Sequence, residues 1–245
     1  MSKRVIIDCF PDSVERYWDD HAIIAIDVIR ATTTATTALS LGRRVYPAKT
    51  SDEAFVIAEK LDCPLMVGEM GGNVPYGFDF TNSPVLISAL ATQPLGFLSD
   101  RHRPIVLLSS SGTRLTVNAA PAPAVYLACA RNYAAAAAYA GARHERIAVI
   151  GAGTRGQFRR EDQMISAWVT EALMAEGFEA GDERTGELVQ RWHGANAKEI
   201  GTGRSAEYLR RSGQLYDLEF IIHHINDLTI VPQRSDGELV AQSAD

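Results

Sequence analysis

Six short apolar runs punctuate the first two thirds of the chain: Ile23–Ile26, Val45–Ala48, Pro64–Val67, Ile105–Leu108, Val125–Ala128 and Ile147–Ile150. Each is of strand length and too short for a helix. Helix-like stretches lie between them. Arg30–Leu41 closes on Gly42, and Ser51–Leu61 has Ser51 as its expected N-cap, with Asp52 and Glu53 opposing the helix dipole. Asn82-Ser83-Pro84 reads as a helix start, Asn132 as the cap of an alanine-rich helix through Tyr139, and Glu161-Asp162 as the opening of a helix through Met174. Strands alternating with helices in this way restrict the chain to an α/β architecture around a parallel sheet.

The rhythm repeats. First strands begin at 23 and 105, second strands at 45 and 125, and third strands near 65 and 147, an offset close to 80. This predicts two copies of a β-α-β-α-β-loop-α unit sharing one cleft. The first lobe is expected over residues 1–102. The second, over 103–235, takes in the C-terminal strands of the same compact unit, and 236–245 is expected to fray. In the tail, Trp192–Ile200 and Ser205–Arg211 read as helices, and Phe220–His224 and Leu228–Val231 as short strands. On a strand, His223 and His224 would point to opposite faces and could not form a metal pair.

Several classes fall away on composition. The 245 residues carry a net charge of −6 with no basic run, so no nucleic-acid footprint is visible. No apolar stretch reaches the length of a membrane span, and the start, MSKRVIIDCF, is not a signal peptide. Three scattered cysteines argue against a disulfide framework or a zinc site, which makes a reducing cytoplasm the expectation.

Ligands of α/β sheets bind beyond the carboxyl ends of the strands. The loops there hold Asp27 and Arg30, Glu69 with Gly71-Gly72, Ser109–Arg114, and Gly153–Asp162. Asp27 ends a buried run and could cap the next helix, ligate a hard metal, or act as an acid or base. Arg30 beside it would keep it ionised and, with helix-start N–H groups, would suit an anion. Five threonines in the seven positions after Arg30 are poor helix formers that cap, line the site or pack. Glu69 leads into the long loop GGNVPYGFDFTNSP, in which Asp79 is ambiguous and Asn82 and Ser83 read first as caps. SSSGTR is a nest-like anion site without the lysine of a P-loop, and no base for a serine nucleophile is visible nearby. GAGTRGQFRRED spells G-x-G-x-x-G, but no strand ending in an acid follows at the distance a dinucleotide fold requires. Glu161 and Asp162 are either dipole partners or ligands.

The stretches AIDVIRATTT, GFDFTNSP, SGTR and GAGTRGQFRRED, in that order, with GQLYDLEF and a final IVP, resemble the 2-phosphosulfolactate phosphatase family from about residue 3 to 232. The resemblance implies a three-layer α/β/α fold and a cytoplasmic, Mg²⁺-dependent phosphomonoesterase without nucleic-acid or membrane partners, with a homodimer as the expected assembly. The implied substrate is a small phosphorylated acidic molecule, 2-phosphosulfolactate, cleaved to sulfolactate and phosphate on the route to coenzyme M. Asp27, Arg30 and Glu69 are the expected catalytic residues, and Asp27, Glu69, Glu161 and Asp162 the candidate Mg²⁺ ligands. Arg30, Arg114 and Arg155 would hold the phosphate and a second acidic group, with Thr32, Asn82, Ser111, Gly112, Thr113, Gly153 and Thr154 completing the substrate site. Whether water or Asp27 attacks the ester is left open by the residues.

Two departures matter. The family tends to read Gly-Glu-Arg where this chain has Gly68-Glu69-Met70, and Thr-Thr-Asn-Gly-Thr where it has Ser109-Ser110-Ser111-Gly112-Thr113. They keep in view a close analogue as substrate, and also a non-catalytic binder of an acidic metabolite. A nucleotide-dependent oxidoreductase using the Gly151–Gly156 loop is the more distant alternative.

Overall fold

The computed structural model describes residues 2–92, 102–154 and 156–243. Its strands are β1 (Arg4–Cys9), β2 (Ala22–Ile26), β3 (Val45–Ala48), β4 (Leu65–Gly68), β5 (Ile105–Leu108), β6 (Val125–Ala128), β7 (Arg146–Gly151), β8 (Glu179–Ala180), β9 (Ile230–Ser235) and β10 (Glu238–Ser243). They form one sheet in the order β4-β5-β3-β10-β9-β6-β2-β7-β1-β8. Within it, β4-β5-β3 and β6-β2-β7 are two parallel triplets. The β9–β10 hairpin joins them, pairing antiparallel with β3 on one side and β6 on the other. Strand β2 lies between β6 and β7, and β5 between β3 and β4, so each triplet draws strands from both sides of residue 102.

The helices are α1 (Ala31–Ser40), α2 (Ser51–Ala58), α3 (Pro84–Thr92), α4 (Gly112–Asn118), α5 (Tyr133–Gly141), α6 (Arg160–Ala175), α7 (Glu183–Trp192), α8 (Arg204–Arg211) and α9 (Leu215–His223). They cover both faces of the sheet, giving three layers. Ile24 and Ile26 of β2 pack with Ala137 of α5 and Ile165 of α6, while Ile23 and Ala25 pack on the opposite face with Leu115 of α4 and Val14. Likewise Ile105 and Leu107 of β5 meet α1 and α3, and Val106 and Leu108 meet Ala54 of α2. Burial on both faces is why these strands read as continuous apolar runs. No helix among the described residues is long and apolar enough to cross a membrane.

Several expectations are corrected. Phe220–His224 is not a strand but the end of α9, whose Leu218 and Ile221 are buried at helical spacing. A short apolar run does not distinguish the two forms. Trp192 ends α7 rather than starting a helix, and Ala197–Thr202 is a short 3₁₀ segment. Residues 236–245 were expected to fray, yet Glu238–Ser243 is β10. A two-residue Asp236-Gly237 turn with both φ positive makes that hairpin. Leu239 is buried, and Glu238 accepts two hydrogen bonds from Arg44, each 2.8 Å. The cap of α2 is Thr50, which accepts from the Glu53 N–H at 3.1 Å, in place of Ser51. Asn132 does not cap α5 with its side chain, which instead bridges Cys129 N–H and the carbonyls of Leu127 and Ile230. Arg4–Cys9, passed over in the sequence, is β1.

Candidate active site

Strand β2 is wholly buried and delivers Asp27 at its carboxyl end. The turn into α1 is held by Thr32, whose Oγ1 donates to the Asp27 carbonyl at 2.8 Å and accepts from the Asp27 N–H at 3.0 Å. Thr33 donates to the Val28 carbonyl in the same way. These two threonines therefore fix the backbone beneath Asp27. The loop after β5 is built alike: Thr113 Oγ1 accepts from the Ser109 N–H at 2.8 Å and donates to the Ser109 carbonyl. The start of α4 then comes directly onto Asp27, and a Cβ on Gly112 would collide with the Asp27 carboxylate. Glycine at 112 is required by that approach.

Asp27 has company. Asp162, at the start of α6, accepts from the Val28 N–H at 2.8 Å, so β2 and α6 are tied through an acid. Burial, and then the Glu69 charge, raise the Asp27 pKa to about 7, against the pull of the Ala31 and Gly112 N–H groups. Asp162 is pushed well above the ordinary carboxylate range by burial, then by Asp27 and Glu161. Burial also raises Glu161, both of whose carboxylate oxygens are buried without a hydrogen-bond partner. The Ser205 hydroxyl is near enough to favour its ionised form but satisfies neither oxygen in hydrogen-bond geometry. Glu69 is held differently: Oε1 accepts from the Ser110 N–H at 3.0 Å and Oε2 from the Gly72 N–H at 2.7 Å.

These groups surround a cavity of about 490 Å³. Of the residues singled out in the sequence, Asp27, Arg30, Glu69 and Asp162 line it, as do Asn82, Ser111, Arg114, Gly153 and Thr154. Thr32, Gly112 and Thr113 stand behind its wall. So does Glu161, against which Gly203 packs, and Ser205 on the wall lies close by. Arg155 lies outside the described residues. Asn82 Oδ1 is buried with no partner, whereas Ser83 takes the capping role, accepting from the Leu86 N–H. Arg30 is committed to Asp217, with an Nη1–Oδ2 distance of 2.5 Å, and also donates to Gln214 and Thr81. His223 and His224 direct their ring Nδ1 atoms to main-chain carbonyls of their own helix, away from the cavity.

Some wall residues were missed: Arg159, and from α8 Arg204, Ser205 and Tyr208. Arg159 sits inside GAGTRGQFRRED, and Asp217 inside GQLYDLEF, so both stood within quoted motifs. Thr154 is bridged to Gln157, and α6 starts only at Arg160. Asp182, beyond β8, caps α7 by accepting from the Thr185 N–H at 2.8 Å. A glycine-rich turn onto a helix start and a free acid at the second strand, the features of dinucleotide binding, are not what these residues form.

Among the described residues no three acid, histidine or cysteine side chains converge closely enough to enclose a metal. Mg²⁺ is commonly held by one or two carboxylates, with water and substrate phosphate completing the shell. Asp27 and Asp162 face the cavity as mutually repelling buried acids, and that donor set suits a hard divalent cation.

A model of the 2-phosphosulpholactate phosphatase family matches residues 9–237. A probable 2-phosphosulfolactate phosphatase of Deinococcus radiodurans is 34% identical over 219 residues, covering 86% of this chain and 81% of the relative. The 2-phosphosulfolactate phosphatase of Methanothermobacter thermautotrophicus is 30% identical over 227 residues, covering 93% and 92%. A probable one from Carboxydothermus hydrogenoformans is 28% identical over 243 residues, covering 92% of each. With the match spanning nearly all strands and every wall of the cavity, the chain belongs to the 2-phosphosulfolactate phosphatase family of phosphoric monoester hydrolases.

Proposed function

We propose that the chain hydrolyses the phosphate ester of a small acidic 2-hydroxy acid, 2-phosphosulfolactate or a close analogue, with Mg²⁺ held by Asp27 and Asp162. The observation that carries this reading is the pairing of two buried, cavity-facing acids with arginines on the same cavity wall. A bound Mg²⁺ would neutralise charge on the phosphoryl oxygens. The chain's own part is to hold and orient. The N–H groups of Ser110 and Gly72 fix Glu69, Thr32 fixes the backbone of Asp27, and the Asn82 amide and Ser111 hydroxyl offer neutral polar contacts on the wall. In the metal-free fold burial raises the Asp27 pKa to about 7, and a bound Mg²⁺ would favour its ionised form as a ligand.

The family departures weigh unequally. Ser111 is on the cavity wall, so the missing amide bears on substrate fit. Met70 is not on the wall, and its side chain is exposed. This weakens the reading of the chain as a binder that has lost its chemistry. Cys9, Cys63 and Cys129 are free thiols, which suits a reducing cytoplasm. The test is phosphate release from 2-phosphosulfolactate with Mg²⁺, after EDTA, and after Mg²⁺ is restored. Turnover should vanish with EDTA and return with the metal. Full turnover in EDTA would remove the metal from the proposal, and no release under any condition would remove the activity.

A further inference from the structure

Four arginines among the described residues line the cavity: Arg30, Arg114, Arg159 and Arg204. Two are neutralised within the fold. Arg30 pairs with Asp217 at 2.5 Å, and Arg114 with Asp12 at 2.8 Å. The other two have no carboxylate partner among the described residues. Arg204 donates to the Gln157 side-chain oxygen, a neutral acceptor, and Arg159 makes no side-chain hydrogen bond among the described residues. The contrast with the next residue is instructive. Arg160 pairs with Glu199 at 3.3 Å and lies over the Trp192 ring, while Arg159 lines the cavity.

Position separates their task from that of the acids. Asp27 and Asp162 are buried, so the phosphoryl group that meets them goes to the floor. Arg204 is exposed and Arg159 half-buried, so they face the part of the ligand that points towards the mouth. The Arg204–Gln157 hydrogen bond brings the start of α8 against the turn that leads to Arg159. Two planar guanidinium forks that form no ion pair among the described residues, Arg159 sensing Glu161 only through space, are suited to a carboxylate or sulfonate, whose oxygens accept paired N–H bonds.

We propose that Arg159 and Arg204 form the subsite that recognises the non-phosphate acid group of the substrate and so set the preference for acidic phosphate esters. This rests on the phosphatase reading above. The residues are specificity-determining, and the phosphoryl end of the ligand does not depend on them.

The experiment compares 2-phosphosulfolactate with ethyl phosphate, which lacks a second acid, in the wild-type protein and in Arg159→Gln, Arg204→Gln and the double variant. Because neither side chain is deeply buried, the variants should fold, and thermal melting checks this. The Arg→Lys forms, which keep the charge, are the milder pair. The expected result is a rise in KM for 2-phosphosulfolactate of roughly 10- to 100-fold with little change in kcat, as for a contact equal in ground and transition states. For ethyl phosphate, kcat/KM should stay put. Equal losses on both esters would show that the arginines serve the phosphoryl group and would overturn the proposal, as would no change on either. Calorimetric titration with sulfolactate and with inorganic phosphate gives a readout independent of turnover. The variants should lose sulfolactate affinity and keep phosphate affinity. If the wild-type protein cleaves neither ester but shows this binding pattern, the phosphatase reading fails and the subsite stands. If sulfolactate binds all variants alike, or does not bind the wild type, the subsite fails.

Discussion

Asp217 and Glu161 are both buried acids, 0% and 1% exposed, and their surroundings are opposite. Asp217, on α9, accepts from Arg30 at 2.5 Å and from the Ser83 hydroxyl at 2.6 Å, with the Val85 N–H at 3.4 Å. It ties α9 to the start of α3 and to the turn after β2, and its charge is matched. Glu161, on α6, has no hydrogen-bond partner for either oxygen and repels Asp162. A buried carboxylate without partners is among the costliest groups a fold can hold. The first acid holds the walls of the cavity together. The second lies beneath the cavity with Asp27 and Asp162; Arg159 and Arg160 favour its ionised form through space, but neither forms an ion pair with it. The same chemical group is thus structural where an arginine pairs with it and available for function where none does.

The largest effect should come from removing Asp217. Asp217→Asn leaves Arg30 buried without its counterion, and urea unfolding should show a loss of about 3–5 kcal/mol. Glu161→Gln removes an unmatched charge, so it should unfold at the same denaturant concentration as the wild type or higher. Equal destabilisation by the two would end the contrast. Next comes Asp27→Asn, which keeps the shape and the acceptor oxygen and removes the charge. We expect a protein that melts normally and turns over at least about 100-fold more slowly, the scale for a lost electrostatic contact in a site. Normal turnover with weakened folding would mean that Asp27 serves only as a cap.

The pH dependence of stability sharpens the same contrast. A carboxyl whose pKa is raised on folding binds more protons in the folded than in the unfolded state between its two pKa values. Stability then falls as pH rises through that window. For Asp27 the window runs from the ordinary carboxylate value of about 4 up to about 7 in the fold. In EDTA, stability should decline between about pH 4.5 and 7 by at most about 1.4 kcal/mol per pH unit for this group. Asp27→Asn should flatten the decline, and Mg²⁺ should oppose it by favouring the ionised acids. Glu238, held low by its hydrogen bond from Arg44, works with the opposite sign: its stabilising effect is present above the ordinary carboxylate value and is lost as pH falls below it. Stability rising with pH across the window in EDTA would mean that burial does not dominate at Asp27.

The strand ends were legible in the sequence because parallel strands buried on both faces are unbroken apolar runs, and Asp27, Glu69 and Asp162 follow or face such ends. Which strand lies beside which was not. Periodicity carries no information on pairing, and the insertion of β2 between β6 and β7 is invisible in it. Arg30 read as an anion contact because its partner is 187 residues away, just before a segment that reads locally as a strand. Arg204 and Tyr208 were missed because the polar face of an amphipathic tail helix looks like a solvated surface until the cavity beside it is known.

The smallest expected effect concerns how that tail helix supports Glu69. The Tyr208 hydroxyl donates to the Gly72 carbonyl, and the Gly72 N–H holds Glu69 Oε2 at 2.7 Å. The opposite oxygen is held by the Ser110 N–H, and Ser110 Oγ in turn accepts from the Gly71 N–H at 2.9 Å. Glu69 is thus held by backbone donors on both oxygens, unlike Glu161, and one of those donors is braced by Tyr208. Tyr208→Phe removes a single hydroxyl from an exposed side chain and should cost about 1 kcal/mol, read as a fall in kcat of roughly fivefold. If the hydroxyl acts through Glu69, the same change made in Glu69→Gln should cost much less, because the group being positioned is already altered. A double-mutant cycle on kcat measures that difference. Additive effects would mean that Tyr208 touches the substrate itself or merely packs, and the two acids would then differ in their hydrogen bonds without the tail helix contributing to the difference.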